Sequence, residues 1–227
     1  MSPDHSVPHP LPVNERTKVR RLPENSTPDR DAMNAILDEA LVAHVGFVDE
    51  HGLPVVIPCA YARRGDELLL HGSQASRMFR TIRAGAPICI TVTLLDGLVY
   101  ARSLFESSMN YRSVTIFGAG ELVDADEQFD ALLTFSEHVM PGRQHDVRPT
   151  LAKELKATMV IRVPLEEASV KIGAADGEEP TEDRTLPHWA GVLPLRLVAG
   201  QPVDSPDLTE GIPVPDYVLD HPLRRGL

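Results

Sequence analysis

Residues 67–80 read ELLLHGSQASRMFR, and this stretch decides how the chain folds. Residues 67–71 form the apolar run of a buried strand, which breaks at Gly72 and Ser73. Beyond the break, the pattern predicts a helix that begins near position 74 or 75. The stretch therefore predicts a strand, a tight turn and a helix in succession.

This strand-to-helix turn is a candidate anion site. The first turn of a helix presents free backbone N–H groups at the positive end of the macrodipole. Ser76 would add a hydroxyl donor, and Arg77 would add a guanidinium group that can hold two phosphate oxygens. A capping serine beside a solvated arginine would explain the same two residues without any ligand.

Composition favours one substantial domain. The chain has 227 residues, of which 42% are hydrophobic. A chain of this size buries roughly 70% of its unfolded surface and needs no disulfide to hold a core. Cys59 and Cys89 lie in apolar runs without a CxxC spacing, so we expect reduced core thiols in a cytoplasmic protein.

Net charge argues against two classes of partner. The chain carries 22 basic and 33 acidic residues, so its net charge is 22 − 33 = −11. An acidic surface repels nucleic acid phosphates and anionic lipids. No apolar run has the length of a membrane span, and the N-terminus lacks the hydrophobic region of a signal peptide. We expect a cytoplasmic protein that binds neither nucleic acid nor membrane.

Three zones follow one another along the chain. Residues 1–25 are rich in proline and carry a basic cluster, so they are predicted to form an extended arm that is solvated or lies on the body or on a partner subunit. Residues 26–172 are predicted to form the folded domain. Residues 173–227 are predicted to be an acidic loop and a proline-rich segment that packs back on the domain.

The central zone predicts a mainly β (α+β) fold. A helix is expected from Thr27, and a second from 126 to 139. Asp96-Gly97 is a strong type I′ turn signal that predicts a hairpin. Apolar runs bounded by turn residues predict strands at 43–49, 55–61, 67–71, 87–95, 98–104, 113–123, 157–163 and 168–172. Six or more antiparallel strands with few helices favour a closed or nearly closed barrel.

Several motifs in this order carry a family resemblance. They are VVIPCAY, LLLHGS, ASRM, ICITVTLLDG, LVYARS, MNYRSVTIFGAGELV and, near the C-terminus, WAGVLPL. Together, over residues 16–217, they resemble the pyridoxamine 5′-phosphate oxidase-like family of FMN-binding split barrels. The nitroimidazole-resistance or flavin-nucleotide-binding branch is the most similar. The resemblance implies a six-stranded antiparallel split β-barrel with flanking helices.

The resemblance also implies a cofactor and a set of residues around it. The protein would be a homodimer with two FMN molecules at the subunit interface. Ser76 and Arg77 would hold the phosphate. The other residues implied are Val56, Ile57 and Pro58 along the isoalloxazine ring, His71, Gly72 and Ser73 beside the ribityl chain and phosphate, and Asn110, Tyr111 and Arg112 from the same chain or the partner.

Alternatives remain for His71 and Arg112, and the resemblance adds Trp189 to the cofactor site with two possible roles. His71 could hydrogen-bond the cofactor or a substrate, or nearby backbone could satisfy it at the end of its strand. Arg112 could approach the flavin or project into solvent. Trp189 is expected to close the cofactor edge by packing, with direct stacking on the flavin as the alternative.

Departures from the oxidase itself argue against vitamin B6 oxidation. Met78 stands where the oxidase motif has a lysine, and the segment after Trp189 lacks the oxidase's substrate-binding residues. We therefore expect an FMN-dependent oxidoreductase that takes a hydride from NADH or NADPH and reduces a small electrophile such as a nitroaromatic. Because hydride transfer to the flavin N5 atom needs no side-chain acid or base, no catalytic residue is predicted.

The alternative is a protein of the same fold without turnover, which carries or senses a flavin or a haem. Histidines at strand ends could ligate haem iron. A third option is an interaction protein whose cofactor site has decayed. The nine histidines show no HxH or HExxH spacing, so no metal-enzyme site is predicted. The sequence also lacks GxSxG, Walker and Rossmann motifs, which argues against hydrolase, NTPase and dinucleotide-domain chemistry.

Overall fold

The computed structural model describes residues 10–174 and 179–224. Within these ranges the fold is built on one antiparallel sheet of ten strands. The strands are β1 (Ser26–Thr27), β2 (Val42–Val48), β3 (Pro54–Arg64), β4 (Glu67–Ser73), β5 (Pro87–Tyr100), β6 (Ser108–Ala119), β7 (Glu121–Leu122), β8 (Thr158–Pro164), β9 (Ala168–Gly173) and β10 (Gly191–Pro194).

In the part of the chain that the structure describes, five α-helices flank the sheet. They are α1 (Arg30–Glu39), α2 (Arg77–Arg83), α3 (Gln128–Val139), α4 (Ala152–Ala157) and α5 (Asp216–Leu219). Helix α1 begins after Asp29, whose carboxylate accepts a hydrogen bond from the Asp31 amide, as an N-cap does. Short 3₁₀ turns lie at Pro23–Asn25, Arg143–Asp146, Asp183–Thr185 and Pro222–Arg224.

The sheet curls until it meets itself. Its order is β1-β9-β6-β5-β2-β3-β4-β8-β7, with β10 paired to β5. Strand β7 follows β6 after Gly120 and pairs with β8, which lies near the other end of the strand order. The segment from β6 to β7 therefore joins the two sides of the sheet. The main core fills the enclosed space, and a smaller apolar cluster around Leu69, Phe135 and Val160 lies between the sheet and α3.

These features confirm the predicted mainly β barrel with flanking helices, but the sheet has ten strands and not six. The sequence patterns did not predict the two-residue strand β1, which is too short to show a periodicity. The predicted strand 113–123 covers β7 and part of β6, which the structure separates at Gly120. Helix α4 was also not predicted. Helix α2 begins at Arg77, two to three residues later than expected.

The predicted hairpin at Asp96-Gly97 is wrong. Strand β5 runs without a turn from Pro87 to Tyr100, and its register against β6 shifts between Leu95 and Gly97, as at a β-bulge. A type I′ turn needs a positive φ at both central residues, and neither Asp96 nor Gly97 has one. Strand β10 explains the glycine, because a Cβ at Gly97 would lie 2.9 Å from a methyl group of Val192.

The described part of the N-terminal arm lies on its own barrel and does not project into solvent. Leu11 is buried, and its amide donates to the Pro28 carbonyl oxygen at 2.8 Å. The Asn14 side chain donates to Glu167, and the Arg16 guanidinium lies 5.2 Å from the centre of the Phe117 ring. Residues 1–9 lie outside the described part of the chain.

The C-terminal segment also contacts the body. Strand β10 adds to β5, and the Tyr217 hydroxyl lies 2.6 Å from an Arg143 nitrogen beyond α3. The predicted acidic loop falls partly on residues 175–178, which lie outside the described residues. Across 10–174 and 179–224, no helix combines the length and the apolar character that crossing a lipid bilayer requires.

Candidate functional site

The outward face of strands β2 and β3 carries an exposed, mostly apolar strip. Strand side chains alternate between the two faces of a sheet, so Val56 and Pro58 share the outward face. Val56 is 65% exposed, whereas Ile57 points the other way and packs against the main core. Of the three residues predicted to line a flavin ring, Val56 and Pro58 are therefore exposed on the outward face, whereas Ile57 is partly buried against the core.

His44 lies on the same strip, and the sequence analysis missed it. In the sheet register it stands between Pro58 of β3 and Thr91 of β5, and its side chain is exposed. The signal was present in the sequence, because Ala43, Val45 and Phe47 form the alternating buried face and His44 falls between them.

The turn between β4 and α2 brings the predicted anion-binding residues together. The Ser73 hydroxyl accepts a hydrogen bond from the Ala75 amide at 3.2 Å, and the Ser73 carbonyl accepts one from the Ser76 amide at 2.9 Å. Ser76 is the N-cap residue of α2, yet its side chain makes no capping hydrogen bond. The Ser76 hydroxyl therefore does not cap the helix, although the alternative without a ligand required it to do so.

Arg77 is held by a buried carboxylate. Its Nη1 atom lies 3.4 Å from Oδ2 of Asp49, whose side chain is only 3% exposed, while the Arg77 side chain is half exposed. Asp49 also accepts hydrogen bonds from the amides of Leu53 and His51. These two bonds, led by the one from Leu53 and supported by nearby Arg77, lower the pKa of Asp49. An ionised Asp49 therefore fixes Arg77 at the end of β2.

A cavity of about 470 Å³ opens beside Arg77. It lies between the end of β2, helix α2 and the connection into β5. The lining residues are Val48, Asp49, Glu50, Arg77, Arg80, Thr81, Ala84, Gly85 and Ala86. The sequence analysis missed Asp49, because only the fold brings the end of β2 against α2.

His71 lies near the end of β4, opposite Val160 of β8. Its ring packs edge-on against Phe135 of α3, with centroids 4.3 Å apart. Its Nδ1 atom is buried and has no hydrogen-bond partner among the described residues, so nearby backbone does not satisfy it. Burial lowers the pKa of the imidazole, which favours the neutral ring.

Asn110, Tyr111 and Arg112 lie in β6 opposite the bulge of β5, away from the α2 turn in the sheet order. The Arg112 guanidinium is not directed into solvent. It binds the Glu39 carboxylate at 2.6 and 2.8 Å and the Asp96 carboxylate at 2.7 and 2.9 Å. These hydrogen bonds, first to Asp96 and then to Glu39, raise the pKa of Arg112.

Trp189, the single tryptophan, lies just before β10 and is 69% exposed. Its ring centroid is 5.6 Å from that of Tyr100, and its edge lies against Gly191, where an added Cβ would be 3.0 Å away. Within this chain the indole therefore packs on a strand end and leaves most of its surface open.

Contacts connect the α2 turn to the apolar strip. Arg77 binds Asp49, Asp49 follows directly after β2, and Gly46 of β2 stands beside Val56 of β3. The structure thus groups Gly72, Ser73, Ser76 and Arg77 at one turn and Val56 and Pro58 on the neighbouring face. No cluster of three or more candidate metal ligands occurs within residues 10–174 and 179–224.

Known proteins match both the sequence and the fold. Residues 29–172 match the family model described as pyridoxamine 5′-phosphate oxidase. The structure of the FAD and heme binding protein from Mycobacterium smegmatis is 36% identical, with a TM-score of 0.83, over 86% of this chain and 96% of that one. The flavocytochrome Anf3 from Azotobacter vinelandii is 37% identical, with a TM-score of 0.86, over 91% of this chain and 96% of that one.

A more distant structure shares the fold alone. The putative 5-nitroimidazole antibiotic resistance protein from Bacteroides thetaiotaomicron is 23% identical, with a TM-score of 0.56, over 65% of this chain and 86% of that one. No curated protein matches the sequence. The family resemblance predicted from the sequence motifs is confirmed.

Proposed function

Because the chain belongs to the pyridoxamine 5′-phosphate oxidase family, we propose that it binds a flavin nucleotide on the outward face of β2 and β3. The observation that carries the proposal is the pairing of an uncommitted Ser76 hydroxyl and a fixed Arg77 with an exposed apolar strip. A flavin needs both features, because its ring is apolar and its phosphate is anionic.

Each residue of the site would have a defined task. Val56 and Pro58 would offer flat apolar surface to the isoalloxazine ring. Ser76 and Arg77 would donate hydrogen bonds to the phosphate, with Asp49 holding Arg77 in place. Ser73 would lie beside the ribityl chain. The flavin supplies the redox chemistry, and the chain supplies binding, orientation and local charge.

The names of the relatives support a flavin, while the sequence resemblance predicted FMN. FMN and FAD share the isoalloxazine ring, the ribityl chain and the first phosphate, so the assigned residues fit either cofactor. The M. smegmatis relative is described as binding FAD. The activity that we propose is electron transfer from NADH or NADPH to a small electrophile such as a nitroaromatic.

We also propose that the active form is a homodimer. Loop 101–107 presents Leu104 and Phe105, which are 96% and 91% exposed, and Trp189 and Val56 are also open. Apolar patches of this kind mark interaction sites on soluble proteins. A second copy that covers them would exclude water from the flavin ring, and a stable interface buries about 800 Å² per partner.

The bound chromophore tests the flavin proposal. The purified protein should show flavin absorption, and the pigment released by denaturation should be identified by chromatography and mass spectrometry. Replacing Ser76 and Arg77 together by Ala should remove the chromophore while the circular dichroism spectrum stays unchanged. Arg83→Ala is the matched control, because Arg83 is exposed at the other end of the same helix.

Wild-type flavin content in the double variant would refute the site. Because the variant also removes the partner of buried Asp49, its thermal unfolding is measured beside its flavin content. A second double variant, Arg77→Lys with Ser76→Ala, keeps a cation near Asp49 and should also lose flavin. That loss could not be attributed to an unpaired carboxylate.

Analytical ultracentrifugation tests the dimer. The protein should sediment as a dimer, and replacing Leu104 and Phe105 by Ser should increase the monomer fraction. Val203→Ser is the control, since Val203 is 92% exposed on the C-terminal segment. A monomeric wild-type protein that retains its flavin would contradict the dimer proposal and leave the flavin site standing.

The second candidate function is haem binding without turnover. Two relatives are described as a heme binding protein and a flavocytochrome, and His44 is an exposed imidazole on the apolar strip. His71 has an unpaired nitrogen, but its ring packs against Phe135, so we place the candidate iron ligand at His44. His44 would supply an axial nitrogen, and the strip would contact the porphyrin.

A Soret band tests this candidate. After incubation with haemin, the protein should show a Soret band that His44→Ala weakens and His71→Ala does not. The reverse result would move the ligand to His71. Loss of the band in neither variant would exclude both histidines as the iron ligand.

A further inference from the structure

A second cavity lies between the end of helix α3 and the C-terminal segment. Its volume is about 370 Å³, which is within the range of roughly 300–1,000 Å³ that small-molecule sites occupy. The end of α3 and the turn after it contribute Val139 and Pro141, and the C-terminal segment contributes Pro202, Val218 and Leu223. None of these residues belongs to the proposed flavin site, so this cavity is a separate space in the fold.

Hydrogen bonds hold the C-terminal wall of this cavity in place. The His221 Nε2 atom lies 3.2 Å from the Val139 carbonyl oxygen, and because a carbonyl only accepts, this nitrogen is the donor. The other ring nitrogen, Nδ1, accepts from the Leu223 amide at 3.2 Å. The Ala199 amide donates to the Leu223 carbonyl at 3.1 Å. These bonds join two parts of the C-terminal segment to each other and to α3, so the walls are fixed by the chain itself.

Arg143 lines the cavity, but its charge is already balanced. Its guanidinium donates to the Tyr217 hydroxyl at 2.6 Å, and that hydroxyl donates to the Asp146 carboxylate at 2.9 Å. The Arg143 Nη1 atom also lies 3.6 Å from the Asp146 carboxylate. Arg143 therefore serves to hold Tyr217, whose ring forms part of the wall.

Arg224 is the uncompensated cation of the cavity. Its guanidinium donates to two uncharged oxygens, the Gly200 carbonyl at 2.8 Å and the Gln201 side-chain amide at 3.3 Å. It forms no ion pair in the described part of the chain, and three of its five N–H donors remain after those two bonds. Among the described residues, none that lines the cavity is acidic, although the chain has 33 acidic and 22 basic residues. The cavity is therefore locally positive in an acidic protein.

One uncompensated guanidinium beside apolar walls fits a ligand that combines a single negative charge with an apolar body. A carboxylate carries that single charge, and its two oxygens match the fork of a guanidinium group. A phosphate monoester carries about −1.5 to −2 charges and would need a second free cation. The apolar body would gain free energy by leaving water for the apolar walls.

We propose that this cavity binds a small carboxylate that bears an apolar chain or ring, with Arg224 holding the carboxylate group. The apolar body would lie against Val139, Pro202 and Val218. The proposal stands apart from flavin binding, because the two sites share no residue.

Calorimetric titration of the full-length protein with octanoate and, separately, with 1-octanol tests the proposal. The two ligands share an eight-carbon chain and differ in the charge of the head group. Octanoate should bind at one site per chain and at least about tenfold more tightly than octanol, as a charge-assisted hydrogen bond predicts. Arg224→Ala should weaken octanoate binding by about the same factor and leave octanol binding unchanged. Arg196→Ala is the matched control and should change neither affinity, because Arg196 is exposed on the same segment outside the cavity.

A second variant, Ala199→Phe, tests the location. Ala199 lines the cavity, and the hydrogen bond of its amide to Leu223 does not involve the side chain. The larger ring should fill the cavity and abolish the binding of both ligands, while the circular dichroism spectrum stays that of the wild type. Three results would each overturn the proposal: no octanoate binding, equal affinities for octanoate and octanol, or octanoate binding that neither Arg224→Ala nor Ala199→Phe weakens.

Discussion

Gly72→Ala should destabilise the protein by overpacking its core. Gly72 lies in β4 at the start of the proposed phosphate turn, and its missing side chain faces Phe79 of α2. A Cβ built on Gly72 would lie 2.4 Å from one ring carbon of Phe79 and 2.9 Å from the next. Phe79 is only 3% exposed, so its ring cannot swing into solvent.

The size of the effect follows from this overlap. In real structures a Cβ atom essentially never lies within 3.0 Å of another heavy atom. The Phe79 ring or helix α2 must therefore move to make room for the new methyl group. Inserting a methyl group into a packed core typically costs about 1–3 kcal/mol. For a protein of this size, that cost lowers the melting temperature by roughly 2–12 °C. The shift of α2 should also weaken flavin binding, because Ser76 and Arg77 move with the helix.

Urea unfolding at one fixed protein concentration measures the change, since a dimer's stability depends on concentration. Phe79→Leu made in the Gly72→Ala background gives a double-mutant cycle. Because leucine is smaller, the second substitution should cost less in this background than in the wild type. A Gly72→Ala protein as stable as the wild type, or a strictly additive cycle, would refute the packing argument.

Three further predictions concern buried polar groups. Tyr61→Phe should cost about 1–3 kcal/mol in urea unfolding, because the buried Tyr61 hydroxyl donates to the Leu37 carbonyl at 2.7 Å; a change near zero would contradict this. Burial raises the pKa of Cys59 to about 11, so iodoacetamide should modify it far more slowly at pH 8 than in urea, and the rate should climb towards pH 11. Equal rates with and without urea would show that the thiol is open. The pKa of His71 is lowered in the folded protein, so as the pH falls the unfolded chain binds a proton on His71 before the folded protein does. The wild type should therefore lose stability relative to His71→Gln as the pH falls below about 6.5. A pH-independent difference between the two proteins would count against a buried neutral ring.

Local sequence patterns predicted much of the fold. The stripe of α1 places Met33, Ile36 and Leu37 in the core, as its helical spacing indicates. The alternation in 43–49 predicts β2, and the break after the β4 run predicts the turn into α2. These patterns work because each segment's own periodicity records which of its faces meets the core.

Turn chemistry alone misled at one point. Asp96-Gly97 has the residues of a hairpin turn, but β10 packs close to Gly97 and Arg112 binds the Asp96 carboxylate within an unbroken strand. The contact that requires a glycine here comes from a strand about 95 residues later in the chain, and the local sequence pattern cannot reveal such a contact.

Patterns along the chain were enough to predict the class of fold, the family and the turn that carries Ser76 and Arg77. The folded arrangement sets which charges meet, and it pairs Arg77 with Asp49 and Arg112 with both Glu39 and Asp96. It also placed His44 on the outward strip and Arg80 in a cavity. The physical reason is that side-chain periodicity is a local property of one segment, whereas an ion pair or a cavity depends on which distant strands and helices the closed sheet brings together.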